Sequence, residues 1–175
     1  GLDSATNRLK TVSGTVDVLT FTGGTIFAAA WDEINGKALL VDADKAVYAS
    51  DLVTTERLGT LTGGLYPICA SWEDGLLIAS GGHLQYYNGK ALETLTSSPD
   101  TCRGVYIRSG RVVVFTANEV HYSAVGDETN WTEDSNDAAS SVWVEAGYKD
   151  GGQFIGMASL SADIIILKNN RRVYR

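Results

Sequence analysis

The stretch NGKALLVDADKAVYASD (Asn35–Asp51) sets a small turn, a solid apolar run, a polar turn and a short tyrosine-bearing segment in that order. The same plan returns as DGLLIASGGHLQYYNGK (74–90), SGRVVVFTANEVHYSAVGD (109–127) and SADIIILKNNRRVYR (161–175). Aligned on the third apolar residue, the anchors are Leu40, Ile78, Val114 and Ile166, and eight residues on stand Tyr48, Tyr86, Tyr122 and Tyr174. The anchor spacings are 78 − 40 = 38, 114 − 78 = 36 and 166 − 114 = 52, so the third unit carries an insertion. Turn dipeptides precede the anchors at Asn35-Gly36, Asp74-Gly75, Ser109-Gly110 and, most weakly, Ser161-Ala162. Asn-Gly and Asp-Gly tolerate the positive φ that tight hairpins demand.

Another apolar run lies before each turn: TIFAAAW, YPICASW, GVYIR and FIGMASL. After the tyrosine a fourth short segment follows, RLGTLTGG (57–64), ALETLTSS (91–98) and VWVEAGY (142–148). Each unit therefore reads as four antiparallel strands, and no segment has the 3.6-residue apolar period of a helix. The runs ALLV, LLIA, VVVF and IIIL do not alternate polar with apolar residues, so those strands need cover on both faces. A radial array of four-stranded sheets supplies it, and a repeat near 40 residues suits one such blade. The expectation is an all-β, β-propeller-like array with units at about 25–63, 64–100, 101–148 and 149–175. A β-sandwich is the alternative for short strands at regular spacing. RLKTVSG (8–14) resembles RLGTLTG (57–63) and is expected as a closing outer strand. TVDVLTFTGG (15–24) is an extra strand-like linker outside this scheme.

Composition bounds the rest. A chain of 175 residues with 44% hydrophobic and 20% charged residues is one globular domain's worth. No apolar stretch is long enough to cross a membrane as a helix, and Gly in place of Met at the start points to a trimmed piece of something longer. Net charge is −7, which disfavours binding to phosphate backbones and repels passing DNA. Cys69 and Cys102 sit in apolar runs and read as buried free thiols.

Catalysis is not signalled: there is no nucleophile elbow, zinc-protease helix or phosphate loop. His83 and His121 lack partners at ligand spacing, so no metal and no cofactor are expected, and His121 is expected to face solvent. Arg103, Arg108 and Arg111 read as strand surface instead of a sialidase's convergent triad. Trp31, Trp72 and the repeat tyrosines read as blade packing, with a sugar platform as the sharper alternative; Arg171, Arg172 and Arg175 read as a solvated edge. The unusual stretch is SAVGDETNWTEDSNDAASS (123–141), which gathers Asp127, Glu128, Trp131, Glu133, Asp134 and Asp137. It lacks the spacing of a calcium loop. It is the candidate assembly loop, and two placements of Trp131 stay open: against a partner, or folded back on its own blade.

Val120–Ser123, then Gly126-Asp127 to Trp131, Val144–Gly151 and Ile164–Tyr174 form a run of motifs: a V-x-Y-S strand, GD-x-x-x-W, V-x-x-G-x-x-DG, and an apolar run ending K-x-x-x-x-x-Y. In this run the chain resembles structural proteins of the phage tail or head–tail region. The likeness covers about a third of the chain well. It is similar to the propellers that stabilise the tail channel of short-tailed phages. The resemblance implies a virion component assembled in the host cytoplasm, joined in a homo-oligomeric ring and to neighbouring virion proteins, with no specific nucleic-acid binding. The competing expectation is a propeller module that recognises a host receptor or glycan.

Overall fold

The computed structural model describes residues 2–3, 8–9, 21, 23–147, 149–160 and 163–175. Most of the expected closing strand 8–14, most of the linker 15–24, the turn Ser161-Ala162 and Tyr148 lie outside this set. Among the described residues every regular element is a strand. Leu2–Asp3 (β1) and Arg8–Leu9 (β2) pair with each other. The first large sheet joins Ile26–Asp32 (β3), Lys37–Asp42 (β4), Ala46–Ser50 (β5) and Thr55–Thr60 (β6) in chain order. The second repeats this with Ile68–Trp72 (β7), Gly75–Ala79 (β8), Gln85–Tyr87 (β9) and Leu92–Thr94 (β10). The third holds Gly104–Arg108 (β11), Arg111–Phe115 (β12), Glu119–Tyr122 (β13) and Val142–Glu145 (β14). The last has Phe154–Leu160 (β15), Asp163–Lys168 (β16) and Val173–Tyr174 (β17). All neighbours are antiparallel, and the protein is an all-β, blade-like array.

The consecutive apolar runs are the reason the sheets stack. Successive side chains of a strand point to opposite faces, so each run feeds two interfaces. Leu39 and Val41 enter the core between the first and second sheets, where they meet Leu76, Ile78 and Tyr87. Leu77 and Ala79 point the other way, into the core shared with Val112 and Val114. Val113 and Phe115 then face Phe154, Ile164 and Ile166, with the Phe115 and Phe154 rings stacked 4.7 Å apart. The anchors Leu40, Ile78 and Val114 are buried, whereas Ile166, which packs against the third sheet, is half-buried.

Two local features differ from the expectation. The turn into the second sheet is centred on Glu73-Asp74, not Asp74-Gly75: Trp72 pairs with Gly75, and Glu73 takes φ of 46°. Gly75 is needed for a different reason, since a Cβ there would collide with the Tyr87 carbonyl of the neighbouring strand. Ser109-Gly110, by contrast, is the expected hairpin turn, with φ of 51° and 70°. Trp31 departs from the packing reading, for it is 49% exposed on the outward face of the first sheet, while Trp72 is buried.

Tyr87 is fully buried in the first core, and its hydroxyl has no hydrogen-bond partner among the described residues. A buried orphan hydroxyl carries its desolvation cost uncompensated. Tyr87→Phe is expected to stabilise the protein by about 1 kcal/mol, raising Tm by roughly 2–4 °C in a thermal melt.

Candidate functional site

The loop from Ser123 to Ser141 leaves β13 and returns to β14. Its base is built on Arg111, the first residue of β12. Arg111 Nη1 donates to the carbonyls of Ser123 (2.6 Å) and Ser140 (2.5 Å), and Nη2 donates to that of Ala138 (2.8 Å). One planar guanidinium thus gathers both ends of the loop, a geometry its fork of donors allows. The Gly126 amide donates to the Gly110 carbonyl at 2.7 Å and the Val125 amide to that of Ala139 at 2.9 Å, so the loop lies along the β11–β12 turn.

The loop's acidic residues divide by task. Asp127 Oδ1 accepts from the Thr129 hydroxyl (2.6 Å) and amide (2.9 Å), bonds that hold its carboxyl below the usual range. Glu128 turns inward, where its carboxylate accepts from the Trp72 indole at 3.0 Å and its carbonyl from the Trp131 indole at 2.7 Å. Trp131 packs against the core between the second and third sheets, so it folds back on the array. Glu133, Asp134 and Asp137 remain exposed and, with Arg111 at the floor, line an open depression of about 430 Å³. Asp134 and Asp137 accept from the amides of Asn136 and Ala139, and Glu133 from that of Trp143, which fixes the local turns. Among the described residues no three His, Cys, Asp or Glu side chains converge as metal ligands.

Residues singled out elsewhere are dispersed. His83 Nδ1 sits 2.8 Å from the Ser98 carbonyl. His121 is not open to solvent as expected: its Nε2 lies 2.9 Å from Glu119, and its ring stacks on Trp143 across the strand pair. Arg103 reaches toward the Phe154 carbonyl of the last sheet, away from Arg111. At the C-terminal edge Arg175 pairs with Asp163, and Arg171 and Arg172 are exposed. Cys69 and Cys102 are free, and burial pushes their thiols up to about 11 and about 12. Three repeat tyrosines share a bond that the sequence reading missed: Tyr48 donates to Asp42, Tyr86 to Asp74 and Tyr174 to Asp150. Arg111 was missed as well, because an arginine opening a strand carries no sequence mark of what it will hold.

No protein-family model and no curated protein matches the chain. Among the solved structures that share its fold are two computationally designed proteins. The computationally designed Ika4 protein matches with a TM-score of 0.59 at 12% identity, over 91% of this chain and 96% of that one. The computationally designed Ika8 protein matches with a TM-score of 0.60 at 11% identity, over 89% of this chain, which spans about half (47%) of Ika8's length. At these identities the likeness is one of fold alone.

Proposed function

We propose that this chain is a non-enzymatic structural protein of a phage virion, a tail or head–tail channel component that acts through protein–protein assembly in a homo-oligomeric ring and with neighbouring virion proteins, after synthesis in the host cytoplasm. One observation carries the assembly role: the 123–141 loop holds Glu133, Asp134 and Asp137 outward on a base pinned by Arg111. A side chain presented from a pinned base loses less conformational entropy on docking than one on a loose loop. The phage assignment draws on the sequence motifs of residues 111–175. The net charge of −7 supports it by keeping a channel wall from holding the duplex that passes.

The test is the triple variant Glu133→Gln, Asp134→Asn, Asp137→Asn, which removes the charge but keeps the side-chain oxygen that accepts from each loop amide. All three side chains are exposed, so the melt should move by no more than about 0.5 kcal/mol per site. Sedimentation velocity is expected to show loss of the loop-mediated oligomer. Unaltered assembly at unaltered stability would overturn the role given to the loop. The second reading, a receptor- or glycan-binding module, is favoured by Phe27 and Tyr66, half-exposed and paired edge to face at 5.2 Å. Calorimetry that gives a glycan-binding heat abolished by Tyr66→Ala would decide for it.

A further inference from the structure

Three strands close the four-stranded sheets on their outer side: β6, β10 and β14. A strand edge invites pairing with another chain unless charge, a bulge or shortness blocks it. β6 carries Glu56 and Arg57 and is bulged, for Val47 pairs with Gly59 while Tyr48 pairs with Arg57. β10 is three residues long with Glu93 at its centre. β14 has no such guard along Val142-Trp143-Val144, and it pairs with β13 without a shift of register. It lies in the middle of the described chain, between the acidic loop and β15.

The ladder fixes what this edge presents. The Ala146 amide donates inward, to the Asn118 carbonyl, at 2.7 Å. Amides of successive residues in an antiparallel strand point to opposite sides, so those of Trp143 and Glu145 point away from β13. The Trp143 amide meets the Glu133 carboxylate there at 3.3 Å, and no strand among the described residues lies on that side. The Trp143 ring stacks on His121 at 6.0 Å and is still 45% exposed, an aromatic anchor of the kind that dominates docking energies.

The same edge opens into the acidic depression, whose wall includes Val142. Glu133, Asp134 and Asp137 each accept a backbone amide through one oxygen, and the second oxygen of each has no partner among the described residues. Arg111 beneath them is occupied by three carbonyls. A strand laid on β14 and running on past Val142 therefore carries its side chains over carboxylates, and charge complementarity selects a cationic one. A second copy's β14 suits the edge less well. Antiparallel pairing about Trp143 would set Glu145 of each copy opposite Ser141 of the other, at the end of its acidic loop.

We propose that the open edge of β14 takes an extended segment of a neighbouring protein, with Lys or Arg at alternate positions, as a fifth strand of the third sheet. One of its cations is seated among Glu133, Asp134 and Asp137. Such strand addition draws affinity from main-chain hydrogen bonds and specificity from alternate side chains. On pairing, a carbonyl of the partner replaces the Glu133 carboxylate on the Trp143 amide, and Glu133 turns to the incoming cation. The proposal names the partner for the assembly role given to the loop and so rests on that role, but not on the virion assignment.

The probe is a short peptide, capped at both ends, in which lysine alternates with valine and threonine. Two analogues accompany it: one with glutamate for lysine, and one N-methylated along its middle residues, which keeps the charge but cannot pair as a strand. The lysine peptide is expected to bind the wild type, to protect the Trp143 and Glu145 amides from deuterium exchange, and to weaken as salt rises. The N-methylated peptide should bind about tenfold more weakly, the loss that follows from one or two main-chain hydrogen bonds. The glutamate peptide should not bind. The triple amide variant of the loop should hold the lysine peptide about fivefold more weakly, as three exposed charge contacts are removed. Equal binding of the lysine and N-methylated peptides would overturn strand addition. So would binding of the lysine peptide that leaves both amides unprotected, or binding of the glutamate peptide as tightly. No binding of the lysine peptide would also overturn the proposal, and the triple amide variant then separates two cases. Loss of the oligomer in that variant would leave the loop's role intact with a second copy as its occupant, whereas an unaltered oligomer would overturn that role as well.

Discussion

Lys168→Met is expected to lower Tm by on the order of 10 °C, the size of effect that follows from stranding a buried partner charge in a domain of this length. Lys168 ends β16, and its side chain and that of Asp150 are each 1% exposed. The ammonium donates to Asp150 at 2.8 Å and to the Ala146 carbonyl of the preceding sheet at 2.7 Å, and it lies over the Tyr174 ring. Asp150 also accepts from the Tyr174 hydroxyl at 2.5 Å and from the Gly152 amide at 2.9 Å. Removing the lysine leaves the carboxylate without its buried ion-pair partner between two sheets. The double variant Lys168→Met, Asp150→Leu should therefore melt above Lys168→Met alone, because an apolar pair carries no desolvation cost. A single variant as stable as the wild type would show that the pair is not buried in solution.

The same pair has a pH signature. The Lys168 ammonium, and then the Tyr174 hydroxyl, hold the Asp150 carboxyl well below the usual carboxylate range. A carboxyl whose pKa is depressed by folding contributes stability above its unfolded value, near pH 4, and loses it as pH falls toward the folded value. Tm of the wild type should accordingly fall more steeply below about pH 4 than that of the double variant. Parallel curves would assign the acid sensitivity to other carboxyls.

What could be read from the residues alone follows a physical divide. Strand number, order and the two-sided burial of Leu77 and Ile78 were legible because they depend on local periodicity, which a run such as LLIA carries in its own letters. The turn at Glu73-Asp74 was misplaced by one residue because Gly75 reads as a turn glycine, while its real constraint is a carbonyl on another strand. Trp31 was read as packed because it ends its apolar run as Trp72 does, yet it pairs with Ala38 where Trp72 pairs with Gly75, one step off in register, and so points to the opposite face of its sheet. Lys168 and Arg111 were opaque for a related reason. A cation on a strand is sorted into solvent or core by partners that arrive from 18 and 12 to 29 residues away. In the candidate site, the composition of 123–141 marked the loop as unusual. It could not separate Glu128, which turns inward to the Trp72 indole, from Glu133, Asp134 and Asp137, which stay exposed.

Arg111→Met should cost about 2–4 kcal/mol, since charge-assisted hydrogen bonds contribute roughly 1.5–3 kcal/mol each and three on one group do not add in full. The apolar stem is preserved in this variant, so the loss reports the guanidinium and not the packing. The carbonyls of Ser123, Ser140 and Ala138 would then turn to water, and the loop ends would separate. Trp131 reports that separation directly, because it packs on the core between the second and third sheets and donates to the Glu128 carbonyl. Its fluorescence should shift to longer wavelength as water reaches the indole, well before global unfolding. Arg111→Lys is expected to recover only part of the loss, because a single ammonium at the end of a shorter reach cannot serve acceptors on both strands of the loop. If the fluorescence and melt of Arg111→Met match the wild type, the loop is held by its own turns, and the acidic edge would not depend on a pinned base. If both change while the triple amide variant melts normally and loses the oligomer in sedimentation, stability and assembly are separable within one loop: Arg111 and Trp131 set its position, and the charges of Glu133, Asp134 and Asp137 serve assembly.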